Sequence, residues 1–244
     1  MMLDMSTKWW SGGVLFTHWC AFLCLAAAER DRANQLAAAS PEATPASEAL
    51  SAILFSVLAT EAFINELAEV AAYHAAERPG PDVPGAQALA DLAATLDRIE
   101  KKHGQIEQKY LQASEILSGH AFPSGKAPFQ EFAWLVKLRN DLVHPRNHDR
   151  TTPTGHMEPS SAAVRHLQRR GLTTSSGLTT SSGSDRHDAQ ADVSWLHEIE
   201  TGGVASWAYG AAREIITALI EMFPDDRRFT IMNMMQRQLQ LAPP

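Results

Sequence analysis

The chain has 244 residues and a formal net charge of −7. That length favours a single domain, 1–244, with one core and added segments. The negative balance excludes a protein that coats nucleic acid non-specifically, because such binding depends on many Lys and Arg contacts to phosphate. Ala, Leu, Glu and Gln are abundant, and no long alternating runs of Val, Ile and Thr occur, so we predict an all-α protein.

The first predicted helix covers about 13–36. Its apolar stretch, 14–28, is short for a bilayer and includes His18, and no cluster of positive charge precedes it. We therefore predict a buried first helix without membrane association; a cleaved signal peptide is the alternative. Cys20 and Cys24 lack the spacing partners of a zinc site, so we interpret them as reduced core residues of a cytoplasmic protein.

Two long helical stretches follow. The first runs from Ser47 to about Glu77, where the Pro-Gly-Pro sequence at 79–81 stops it. The second runs over 86–117, with Gly104 as a candidate break and Gly119 after its end.

A fourth helix is predicted to start after Pro128 and to end near His144, because Pro145 disfavours helical geometry in the residue before it. In the last helix the apolar residues return at helical spacing before Pro224 stops it. They are Val204, Trp207, Ala208, Ala211, Ile215, Ala218, Leu219 and Met222. The predicted core is a bundle of four to five helices.

Residues 145–190 differ in character, being rich in Ser, Thr, Arg, His and Gly. The hexapeptide at 171–176 repeats directly at 177–182, which is typical of a low-complexity insert. With few apolar side chains to offset the entropy of ordering, the stretch from about 150 to 188 is predicted to lack stable tertiary contacts. Its histidines and arginines make it locally basic.

The helix that ends near His144 carries a charge where an apolar face is expected. Phe132, Leu135, Val136, Leu142 and Val143 project onto one arc. Arg139 falls in the middle of that arc, where a guanidinium needs a carboxylate or a phosphate. Asn140 and His144 are one turn apart on one flank. Asp141 is expected to face solvent.

The helix from Ser47 contains a matching anomaly. Glu61 and Asn65 lie one turn apart within the arc of Leu50, Leu54, Val57, Leu58, Ile64 and Ala68. One buried anion and one buried cation in the same small core predict an ion pair between Glu61 and Arg139. That pair would hold the guanidinium at the floor of a polar pocket, with Asn65 as a second supporting residue.

The sequence Arg139-Asn140-Asp141-Leu142-Val143-His144 resembles the R-x4-6-H motif, in its RNxxxH form, of the HEPN superfamily. The resemblance extends to the helix with Glu61 and Asn65 and to the final helix, but not to the insert or to the first forty residues. It implies a compact HEPN-like helical bundle, often dimeric. Many members are metal-independent endoribonucleases of toxin, antiphage or RNA-processing systems.

The resemblance assigns chemistry to residues. His144 would exchange protons with the ribose 2′-hydroxyl or the leaving 5′-oxygen, since histidine titrates near neutral pH. Arg139 would neutralise the scissile phosphate, and Asn140 would hydrogen-bond the phosphate or orient the histidine. Cleavage would leave a 2′,3′-cyclic phosphate without a metal or other cofactor. Basic residues of the insert, Arg146 and Arg150 among them, would guide RNA.

The resemblance also implies partners: a second copy of the chain that supplies a second histidine, and a separately encoded antitoxin or sensor protein. Two alternatives stay open. One is a catalytically inactive HEPN-like module that binds RNA, nucleotides or proteins as an adaptor. The other is an unrelated helical scaffold, in which His144 is a helix cap and the pair of Arg139 and Glu61 is purely structural.

Overall fold

The structure, a computed structural model, describes residues 18–39, 46–77, 86–144, 161–173, 195–223 and 239–240. Within these ranges the chain forms eight helices and no β-strand, so the all-α prediction is confirmed. The helices are α1 (His18–Ala39), α2 (Ala46–Glu77), α3 (Ala86–Lys101), α4 (Ile106–Ser118), α5 (Phe129–Val143), α6 (Ala162–Arg169), α7 (Leu196–Ile199) and α8 (Gly202–Glu221). The number exceeds the predicted four or five, because one predicted helix is divided and α6 and α7 were not foreseen.

Helix α2 is the centre of the bundle, since α1, α3 and α8 all pack against it. Trp19 of α1 is fully buried and meets Phe63 of α2 edge-on, with ring centroids 5.4 Å apart. The prediction of a buried first helix is thereby confirmed for one face of α1, from Trp19 to Ala33, while 13–17 lie outside the described residues. Neither Cys20 nor Cys24 is in a disulfide, and both are partly buried against the core.

The stretch Ser47–Tyr73 of α2 is long and apolar enough to cross a membrane, judged by length and composition alone. Half of its apolar window is buried inside the bundle. Core helices of soluble proteins have the same property, so this stretch is weak evidence for membrane association.

The break between α3 and α4 falls at Gly104, as the sequence predicts. A Cβ added there would lie 2.6 Å from Ile99 Cγ2 and 3.1 Å from the Ile99 carbonyl oxygen. The end of α3 therefore leaves no room for a side chain at this position, and the chain turns tightly from α3 into α4. Gly119, which follows α4, has a φ of 78° and its N–H donates to the Glu115 carbonyl (2.8 Å).

The prediction that 150–188 lacks tertiary contacts is wrong for residues 161–173, which form α6 and the turn after it. Helix α6 buries three apolar side chains, Ala163, Val164 and Leu167. Ser161 caps the helix by accepting a hydrogen bond from the Val164 N–H (3.2 Å). Three apolar residues spaced three and four apart form a packing face even within a polar segment. Residues 145–160 and 174–190 lie outside the described residues.

Polar contacts of Glu131 also hold α6 against α5 and α8. The Glu131 carboxylate accepts hydrogen bonds from Arg170 and from the Trp207 indole N–H, the latter at 2.6 Å. His166 of α6 stacks on Trp134 of α5 with ring centroids 4.8 Å apart. His166, which lies in the stretch predicted to lack tertiary contacts, is thus a packing residue.

Candidate active site

The ion pair predicted between α2 and α5 is present. Arg139, near the C-terminal end of α5, donates from Nη2 to Oε1 of Glu61 in the middle of α2. The Arg139 side chain is 24% exposed and that of Glu61 is 32% exposed. The prediction that both charges are buried is therefore too strong: the pair lies at the edge of the core, in reach of solvent.

The residues that are buried on α5 and α2 are not all those on the predicted apolar arcs. Helix α5 contacts α2, α6 and α8, so Leu138, outside the predicted arc, is fully buried. Val143, inside that arc and in the last turn of α5, is 50% exposed. On α2, Leu54 and Leu58 are likewise exposed. The ion pair therefore borders a surface with exposed apolar side chains.

Asn140 and His144 occupy the last turn of α5, and both are exposed. Arg139 Nη1 donates to Asn140 Oδ1 (3.0 Å), which draws the guanidinium towards the flank that Asn140 shares with His144. His144 is the C-cap residue of α5, and its backbone N–H donates to the Asn140 carbonyl (2.9 Å). The helix ends there as predicted from Pro145, and it leaves the imidazole at the surface.

Asn65 is not brought to Arg139. It is exposed, and its Oδ1 accepts a hydrogen bond from Lys109 Nζ of α4 (2.7 Å). Lys109 also pairs with Glu100 of α3. The predicted support of Arg139 by Asn65 is therefore replaced by a link between α2, α3 and α4.

Two residues of α4 that the sequence did not single out lie near the ion pair. Burial raises the pKa of Glu107, and the positive charge of Arg139 partly offsets that rise. Tyr110 is fully buried; burial and the neighbouring Glu61 carboxylate raise its pKa, and its hydroxyl donates to the Thr60 carbonyl (3.0 Å). Arg139 thus lies in the field of two carboxylates. No sequence pattern indicates Glu107, because its position depends on how α4 packs.

Asp141 does not face solvent freely, which corrects the expectation for it. Its side chain is partly buried, and Oδ2 is buried and has no hydrogen-bond partner in the part of the chain that the structure describes. Arg146 and Arg150 lie outside the described residues. Among the residues that are described, no group of three or more His, Cys, Asp or Glu side chains is placed to hold a metal ion.

Comparisons with protein-family models, with curated proteins and with solved structures found no match to this chain.

The geometry defines what the site can do chemically. Glu61 and Asn140 engage the two terminal nitrogens of Arg139, and the guanidinium keeps further N–H donors for an incoming oxygen. Because the guanidinium is partly exposed and fixed at two points, it can hold a phosphate in one orientation. The exposed imidazole of His144, on the same turn, can exchange protons with a bound ligand.

Proposed function

We propose that the chain is a metal-independent endoribonuclease of HEPN type, with Arg139 and His144 as its catalytic residues and Asn140 as a polar partner of both. The observation that carries the proposal is the fixed, partly exposed Arg139 on the helix end that also presents His144. A toxin, antiphage or RNA-processing role, with a separately encoded antitoxin or sensor protein, belongs to the same proposal.

In the proposed reaction His144 accepts the proton of a ribose 2′-hydroxyl as the 2′-oxygen attacks the adjacent phosphorus. The bond from phosphorus to the 5′-oxygen breaks, and that oxygen leaves with a proton. The products are a 2′,3′-cyclic phosphate and a 5′-hydroxyl end. Arg139 offsets the charge that develops on the non-bridging oxygens. Glu61 acts as a positioning residue, since it holds the guanidinium and does not reach the reacting atoms.

A second copy of the chain would supply the proton donor for the leaving oxygen. Leu54 and Leu58 precede Glu61 by two turns and one turn on α2, and Val143 follows Arg139 by one turn on α5. All three are exposed, so apolar surface lies on both sides of the ion pair. A homodimer that buries this surface would bring two copies of the motif together. Leu58→Glu should then lower both dimer content and cleavage, whereas Leu36→Glu on α1 should change neither.

The direct test is incubation of the purified chain with a mixed RNA pool in EDTA. Wild type and His120→Ala, a matched control at an exposed histidine of the turn after α4, should cleave equally. His144→Ala should fold normally, bind RNA and fail to cleave. A His144→Ala protein that cuts at the wild-type rate, or a wild type that cuts only with added Mg²⁺, would refute the mechanism.

The second candidate is a catalytically silent HEPN-like adaptor. Its supporting observation is that Glu61 already neutralises Arg139, as in a purely structural pair. An adaptor predicts no cleavage by wild type in any divalent-free condition, and partner binding that is indifferent to His144→Ala but sensitive to Leu58→Glu.

A further inference from the structure

A groove of about 790 Å³ lies between α1 and α8 and reaches the turn before α5. Among the residues that line it are Arg30, Asn34, Pro128, Ser206, Gly210 and Arg213. Pro128 immediately precedes α5, so this groove is at the opposite end of that helix from His144. Its size is within the range of about 300–1,000 Å³ that small-molecule sites occupy.

The two arginines of the groove differ in their partners. Arg30 pairs with Asp31 (2.8 Å), and its guanidinium lies over the Tyr209 ring, 4.4 Å from the centroid. Arg213 Nε, in contrast, is buried and has no hydrogen-bond partner among the described residues. Because Nε is covered by the protein, a ligand in the groove would instead meet the terminal nitrogens of Arg213, to which no described carboxylate is joined in an ion pair. An acceptor oxygen on the ligand would therefore stabilise this guanidinium.

The remaining polar groups narrow the chemistry of that ligand. The Ser206 hydroxyl accepts from Asn34 Nδ2 (3.0 Å), which leaves its own O–H to donate. Glu214 and Glu221 are exposed at the side of the groove on α8. These carboxylates repel a bare anion and favour a ligand that also carries donors.

We propose that this groove binds a small molecule whose anionic head, a carboxylate or a phosphate, contacts Arg213 and whose amino or hydroxyl groups face Glu214 and Glu221. The site is separate from the proposed nuclease centre. Its test measures binding alone, so either proposal can fail without the other.

Gly210 permits a variant that fills the groove without disturbing the fold. A Cβ added at Gly210 meets nothing within 4 Å. Leucine also has a higher helix propensity than glycine, so Gly210→Leu should fold at least as well as wild type. Its side chain would occupy the part of the groove where the ligand would bind. Arg213→Gln removes the charge, and Lys137→Gln, at an exposed lysine of α5, is the control for lost charge.

The experiment follows the thermal midpoint of each protein during titration with adenosine 5′-monophosphate and with L-glutamate, at matched ionic strength, with uncharged adenosine as the blank. Wild type and Lys137→Gln should show a saturable rise with at least one of the two anions and none with adenosine. A rise with the nucleotide alone indicates a phosphate head, and a rise with glutamate alone indicates a carboxylate. Arg213→Gln should weaken the apparent affinity about tenfold or more, and Gly210→Leu should abolish the rise.

No saturable rise with either anion in wild type would overturn the proposal. An undiminished rise in Gly210→Leu would do the same, even if Arg213→Gln proved too unstable to measure.

Discussion

The ion pair between Arg139 and Glu61 should contribute measurably to stability, and a double-mutant cycle with Arg139→Gln and Glu61→Gln can isolate its coupling energy. Fully exposed pairs contribute about 0–1 kcal/mol, whereas removal of one partner from a buried pair costs about 3–5 kcal/mol. With side chains 24% and 32% exposed, this pair is intermediate. We expect a coupling of about 1–2 kcal/mol.

The single variants should not be equivalent. Arg139→Gln leaves both Glu61 and the partly buried Glu107 without their nearby cation, whereas Glu61→Gln leaves Arg139 with the Glu107 charge. Arg139→Gln should therefore be the more destabilising change.

Urea unfolding monitored by tryptophan fluorescence provides the assay, with the m-value checked for constancy across the four proteins. The matched control is the exposed pair of Lys101 and Asp97 on α3, which are joined at 2.7 Å and should couple by about 0.3–0.5 kcal/mol. A coupling for Arg139 and Glu61 no larger than that of the control pair would show that solvent screens the contact. Glu61 would then not be a positioning residue for the guanidinium.

Three further changes test the packing. Leu167→Ala should cost about 2–4 kcal/mol in urea unfolding, because the side chain is fully buried; a value near zero would show that α6 is not docked. Gly104→Ala should cost about 1–3 kcal/mol through the clash with Ile99, and an unchanged midpoint would contradict the close approach. Burial raises the pKa of folded Glu66. Between the unfolded and folded pKa values the unfolded chain then holds fewer protons, so stability falls as pH rises through that interval. Glu66→Gln should therefore raise the free energy of unfolding at neutral pH but not in acid, where Glu66 is protonated. A stabilisation that persists in acid would show that burial of the charged carboxylate is not its cause.

The ends of the helices were largely predictable, because single Gly and Pro residues in the local sequence determine them. Gly104, Gly119 and Pro145 each favour the end of a helix, and α3, α4 and α5 end shortly before these three residues. The pairing of Glu61 with Arg139 was predictable too, because an isolated charge on an apolar helix face requires a partner.

Packing that depends on the arrangement of several helices was not predictable. A projection of one helix gives the angle of a residue but not its distance from the core, so it placed the exposed Val143 inside and the buried Leu138 outside. Helix α6 was missed because its apolar face consists of only three residues and lies within a segment rich in Ser and Thr. Glu107 joins Arg139 only through the position of α4, which no motif specifies.

If His144 and Arg139 cleave RNA through the 2′-hydroxyl, as proposed, the ends of the cleaved RNA must carry the mark of that reaction. A short RNA that wild type cuts in EDTA is analysed by mass spectrometry, beside the same RNA with a single 2′-deoxy nucleotide on the 5′ side of the scissile phosphate. The first RNA should give a 2′,3′-cyclic phosphate and a 5′-hydroxyl, the second should not be cut at that position, and His144→Ala should give no products from either. Fragments with 5′-phosphate ends, or cleavage that persists at the 2′-deoxy position, would contradict it.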